Sequence, residues 1–124
     1  MAHSITGLFA TRGQVERVDG ALRDAGFDAK RITVVGPDSQ MVRLSGQAQE
    51  HHGIGAWLVE HLVQRGHSQE QAQEYHDKVA LEGRWLVSVA VRDGAEDADA
   101  RNLMVASGAA EISSARDGQM VKVA

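Results

Sequence analysis

Residues 84–92 read RWLVSVAVR. Trp85, Val87, Val89 and Val91 alternate with Leu86, Ser88 and Ala90, the period of two that defines a strand with two distinct faces. One face is wholly apolar. The other is apolar but broken by a serine. A strand apolar on both faces needs both faces of its sheet covered.

On the C-terminal side, Asp93-Gly94 is a turn signal, and 96–107 reads as a helix with Ala100, Leu103 and Met104 on its inner face. Gly108 ends that helix, and EISSA (111–115) is a further strand. Asp117-Gly118 is another turn, and MVKVA (120–124) is either a strand or a tail. The N-terminal part repeats this order. SITGLFA (4–10) is a strand and Thr11 a helix cap. Val15, Val18, Ala21, Leu22 and Ala25 fall on one helical face. Gly26 ends the helix, with Phe27 packing back on its last turn. RITVVG (31–36) is a second β-branched strand, closed by the turn Gly36-Pro37-Asp38-Ser39. The echo between ALRDAGFDAKRITVV and LMVASGAAEISSA marks two β-α-β halves.

The first half closes with a short strand extension at 41–44; a polar loop at 45–53 and two helices follow. The first, 54–65, carries Ile54, Trp57, Leu58 and Leu62 on one face. Gly66 ends it. The second, 68–82, opens with Ser68 and Gln71 spaced as a capping box, and Gly83 stops it. The expectation is an α/β (α+β) fold. It is a ferredoxin-like four-stranded sheet built from two β-α-β halves (1–45 and 84–124) with an inserted helical hairpin (53–82), all in one domain of 124 residues. A chain of this size buries roughly two thirds of its unfolded surface. The second sheet face, with Leu8, Val35, Leu86, Ser88 and Ala90, is too apolar to stay wet. Either the hairpin or a second subunit covers it.

Composition removes several function classes. The net charge of −4 gives no electrostatic basis for nucleic acid or for an anionic membrane. The absence of cysteine excludes disulfides, thiolate metal sites and thiol nucleophiles. No apolar run reaches the roughly 20 residues of a membrane helix. The opening MAHSITGLFATRG lacks the basic and apolar regions of a secretory signal. A cytoplasmic protein without a cofactor is expected.

Two longer stretches bear on family. ITGLFATRGQVERVDGALRDAGFDAKRITVVG (5–36) resembles the opening of the general stress protein 17M-like domain, the heat-induced stress protein YflT type. LVEHLVQRGHSQEQAQEYHDKVALEGRWLVSVAV (58–91) resembles that family's later segment, in which a helix–Gly–helix with a tyrosine, here Tyr75, leads through a glycine, here Gly83, into an L-V-x-V strand, here from Leu86. Many members carry a long Gly/Ala-rich segment between the halves, where this chain has only SGQAQEHHG. The resemblance implies stress-linked expression in a bacterium and assigns no catalytic residue.

Histidine is the remaining source of chemistry. His3, His51, His52, His61, His67 and His76 make six, yet no two stand at the helical spacings that build a metal site. His61 and His76, with Glu60 or Glu74, are the metal candidates if the hairpin helices face each other. The alternative is a solvated helix surface. Glu70 and Glu74 share a face as a carboxylate pair, but nothing in the pattern predicts their burial. Gly36-Pro37-Asp38-Ser39 lacks the lysine and further glycines of a phosphate loop. Ser113-Ser114 has no evident base. Trp57, Tyr75, Trp85 and Leu86 are either core or the lining of a pocket or interface between hairpin and sheet. The expected function is a non-enzymatic bacterial stress-associated protein that forms a homo-oligomer. The alternative is a sensor that binds a small ligand or metal through the hairpin.

Overall fold

The computed structural model describes residues 3–36, 42–44, 47–49, 56–64, 67–114 and 121–122. The chain forms strands β1 (His3–Phe9), β2 (Ile32–Val35), β3 (Val42–Leu44), β4 (Gln47–Gln49), β5 (Trp85–Val91), β6 (Glu111–Ser114) and β7 (Val121–Lys122). Its helices are α1 (Arg12–Asp24), α2 (Ala56–Gln64), α3 (Gln69–Glu82) and α4 (Gly94–Ala106). The strands make one sheet in the order β4-β3-β2-β5-β1-β6-β7, every neighbouring pair antiparallel. The strand read first, β5, lies at its centre.

The expected sheet had four strands, with 41–44 as a short extension and 120–124 as either a strand or a tail; among the described residues the sheet has seven. The additions are short. The extension expected at 41–44 is β3, and residues 47–49, expected within a polar loop, pair with it as β4. A three-residue strand holds too little alternation to register as period two. The sequence Gln-Ala-Gln becomes a strand through its partner rather than its own pattern. β7 pairs with β6 in the same way.

Helix ends follow the sequence signals. Thr11 caps α1 by accepting from the Gln14 N–H, and the Gln14 side chain accepts in return from the Thr11 N–H, a complete capping box. At its other end the Phe27 N–H donates to the Leu22 carbonyl at 3.0 Å across Gly26, whose φ is 102°. That left-handed turn lets Phe27 fold back into the core. At α3, Ser68 accepts from the Gln71 N–H, but the Gln71 side chain is engaged elsewhere, so that box is half made.

The sheet carries a core on each face. On one, α1 and α4 close over Ile5, Phe9, Ile32, Val34, Val87, Val89, Val91 and Ile112. On the other, α2 and α3 bring Leu62, Ala72, Tyr75 and Val79 onto Leu8, Val35 and Leu86. The hairpin therefore covers the second face, resolving the choice between hairpin and neighbouring subunit for these residues. Trp85 packs with the first core, and its ring lies where a Cβ on Gly36 would stand 2.8 Å away, so the glycine makes room for the indole.

An ion cluster joins three elements at the edge of the first core. Arg31 lies 5.0 Å over the Phe27 ring, donates Nε to the Ala90 carbonyl at 3.0 Å, and meets Glu96 at 2.5 Å. Arg92 donates to the other Glu96 oxygen at 2.9 Å. The Glu96 carboxyl is held down to about 2, from an ordinary 4.5, first by the Arg92 side chain, then by Arg31 and the Arg92 backbone N–H. A depressed carboxyl pKa stabilises the fold above the unfolded value and loses that contribution as pH falls toward the folded one. Urea titrations between pH 5 and pH 2 are therefore expected to show Glu96→Gln with a shallower acid-side loss of stability than the wild type. Parallel curves would contradict it.

Candidate functional site

The second sheet face turns polar at one level. Thr33 pairs with Ser88, Ser88 with Thr6, and Thr6 with Ser113, so four hydroxyl side chains stand in a row across four neighbouring strands. All four residues are fully buried. Each strand substitutes a hydroxyl residue at the same register where the next inward-facing level, Val35, Leu86 and Leu8, is apolar. Burying a hydroxyl without a partner costs about 1–3 kcal/mol, so the row dictates what must lie above it.

The hairpin supplies the partners. The Thr6 hydroxyl donates to Ser88 Oγ at 2.9 Å and lies 2.8 Å from His67 Nε2. With its own proton given to Ser88, Thr6 accepts the His67 Nε2–H. The Tyr75 phenol donates to the Thr6 carbonyl at 3.0 Å, and it also touches Ser113 Oγ. Because a carbonyl only accepts, the phenol proton goes to Thr6 and the Ser113 hydroxyl donates to the phenol oxygen. The His67 and Tyr75 rings meet edge-on at 5.7 Å.

His67 Nδ1 contacts the Gln71 side-chain amide. Burial pushes the His67 pKa below its ordinary value, against the opposing pull of Gln71. In the neutral ring that donates from Nε2, Nδ1 carries a lone pair. The Gln71 atom that meets Nδ1 is Oε1, an acceptor, while Gln71 Nε2 has no partner among the described residues. With the Thr6 proton on Ser88, this pair is reconciled by turning the amide so that its N–H faces Nδ1. Burial likewise raises the Tyr75 phenol well above its usual range, with the Ser113 hydrogen bond acting the other way. Both groups are thereby held neutral. A phenol raised that far is not a nucleophile at neutral pH, and the polar atoms of both rings are engaged within the network.

At the β6 end of the adjoining level, Glu111 is also buried. Its Oε1 lies 3.6 Å from Lys78 Nζ, and its Oε2 has no partner among the described residues. The register sets Lys122 of β7 opposite Glu111.

The residues singled out from sequence separate into different places. Tyr75 and Leu86 come together in the second core, and Tyr75 is also the hub of the polar network. Trp85 lies on the opposite sheet face. Trp57 and His61 belong to α2, with side chains outside the described residues. His76 turns along its own helix, with Nδ1 3.2 Å from Asp77 Oδ1 and 3.4 Å from Gln73 Nε2. Glu70 and Glu74 are exposed beside a shallow depression along the first turns of α3. His51, His52 and the turn 37–39 lie outside the described residues. Among the described residues, no three histidine or carboxylate side chains gather where they would hold a metal ion.

No family model, no curated protein and no solved structure matches the chain. No helix among the described residues is long and apolar enough to cross a membrane.

Sequence reasoning missed His67, Thr6 and Gln71. The signal for Thr6 was present, because its parity with Leu8 puts it on the same face as Ser88. His67 gave none, since Ser68, Gln69 and Glu70 after it are all exposed.

Proposed function

We propose that this chain is a non-enzymatic, stress-associated protein that acts by self-assembly on a ferredoxin-like scaffold. The scaffold reading rests on the order β2-β5-β1-β6 at the centre of the sheet. In it β1-α1-β2 and β5-α4-β6 are the two β-α-β halves, with α2 and α3 inserted between them.

One observation carries the functional part. The side chains with chemical potential, Thr6, Ser88, Ser113, Tyr75 and His67, are buried and bound to one another. A reacting group has to reach its substrate within hydrogen-bonding distance, and these face only the protein. The working surface is then the outside. Helices from the same chain lie on both sheet faces, which leaves the sheet edges, with β4 and β7 outermost among the described strands. An edge offers unpaired backbone groups to a second copy. Leu81 on α3, 80% exposed, and Val105 on α4, 47% exposed, add apolar contact surface.

The stress association rests on the resemblance of 5–36 and 58–91. The residues whose spacing carries it have distinct structural tasks. Gly83, with φ of 71°, turns α3 toward β5, and Tyr75 and Leu86 pack in one core. Light scattering at micromolar concentration is expected to give a particle larger than a monomer. A clean monomer throughout that range rejects self-assembly.

A further inference from the structure

We propose that His67 is a proton-operated latch that holds the α2–α3 hairpin on the sheet, so that acidification releases the hairpin while the sheet and the helices on its other face stay folded. His67 stands at the elbow of the hairpin, two residues before α3. Its backbone N–H donates to the Leu62 carbonyl of α2 at 3.1 Å, and its ring reaches Thr6 at the centre of the sheet at 2.8 Å. One residue that is 3% exposed thus ties both helices of the hairpin to β1. The core beneath the hairpin is separate from the one under α1 and α4. Loss of the His67 contacts thus frees the hairpin from β1 without touching the packing on the other face.

The surroundings of the ring decide the effect of a proton. Facing it are the Thr6 hydroxyl of β1 and, behind it, the Ser88 hydroxyl of β5. The Gln71 amide and the Tyr75 ring face it from α3, and the Leu62 carbonyl is bound by its backbone on the α2 side. α2 also carries His61, whose side chain lies outside the described residues. The carboxylates that act on this cluster, Glu111 of β6 and Glu74 of α3, act on Tyr75, and Glu111 is paired with Lys78. No described carboxylate contacts the imidazole. An imidazolium here would lose its hydration and gain only neutral dipoles, which is why burial depresses its pKa.

Opening the hairpin returns the ring to water, where it takes a proton near about pH 6.5. The sign follows from linkage. The closed state is fully favoured above about pH 6.5. It loses up to about ten-fold in the closed-to-open ratio for each pH unit below that, and levels off below the closed-state pKa.

Hydrogen exchange of the full chain from pH 7.5 to pH 5, expressed as protection factors corrected for intrinsic exchange, tests the latch. Protection in α2 and α3 is expected to fall up to about ten-fold per pH unit below about pH 6.5, with β5, α1 and α4 unchanged. In His67→Gln, whose neutral amide still offers a donor to Thr6, the hairpin protection is expected to stay flat. The same fall in His67→Gln as in wild type, or a parallel fall in α1 and α4, overturns the proposal. Should His67→Gln not fold, the wild-type ring is followed by NMR. Titration of His67 without any loss of hairpin protection then rejects the latch, and titration in step with that loss supports it.

Discussion

Tyr75→Ala is expected to lower the unfolding free energy by about 3–5 kcal/mol, the range for truncating a fully buried large aromatic. Tyr75 has no exposed surface and packs in the second core with Leu8, Leu62, Val79 and Leu86. Removing it leaves a cavity between hairpin and sheet. It also strips the Thr6 carbonyl and the Ser113 hydroxyl of their partner. For a chain of this length the midpoint of thermal unfolding should fall by roughly 10–20 °C. Tyr75→Phe divides the effect. It keeps the ring and deletes only the hydroxyl, so about 1–3 kcal/mol is expected. Urea denaturation followed by circular dichroism measures both. A Tyr75→Ala loss near about 0.5 kcal/mol, the scale of a neutral surface change, would mean that the hairpin is not closed on the sheet.

The contrast between the two sheet faces explains what the sequence disclosed and what it withheld. The face under α1 and α4 is built from Val87, Val89 and Val91 on β5 and from Val15, Val18 and Leu22 on α1. All of them follow a clean period of two or of three and four, and reading either pattern places them. The glycine signals worked for a related reason, since Gly26 and Gly83 occupy left-handed positions that other residues rarely adopt. The polar face gave no comparable pattern. A buried serine and an exposed serine look alike in a sequence, and what separates them is the partner across the sheet. Thr6, Ser88 and Ser113 are far apart in the chain and meet only through register. The stretch GHSQEQAQEYHDK, polar throughout but for one alanine and one tyrosine, hides His67, Gln71 and Tyr75 facing inward among residues that face out. Its helical period was legible, but its apolar face was too thin to reveal that polar side chains extend it. β4 was obscure because a strand of three residues is held by pairing, not by composition.

Thr6→Val tests whether this polar layer is held by its hydrogen bonds or only by its shape. Valine matches threonine closely in volume and suits a strand, so the packing under the hairpin is preserved. The hydroxyl that donates to Ser88 and accepts from His67 is lost, and both groups stay buried. Leaving a buried polar group unpaired costs about 1–3 kcal/mol, and with two such groups a loss of about 2–4 kcal/mol is expected. The discriminating comparison is the double variant Thr6→Val/Ser88→Ala. It removes one of the stranded partners together with the group it paired with, so it should be less destabilised than the sum of the single changes, by a coupling of about 0.5–3 kcal/mol. Strict additivity would mean that the two hydroxyls do not interact. A negligible effect of Thr6→Val alone would mean that water or an altered His67 rotamer satisfies the network. The expected non-additive result would make the row a single unit, in which each hydroxyl is tolerated because the next is present and which the hairpin completes from above.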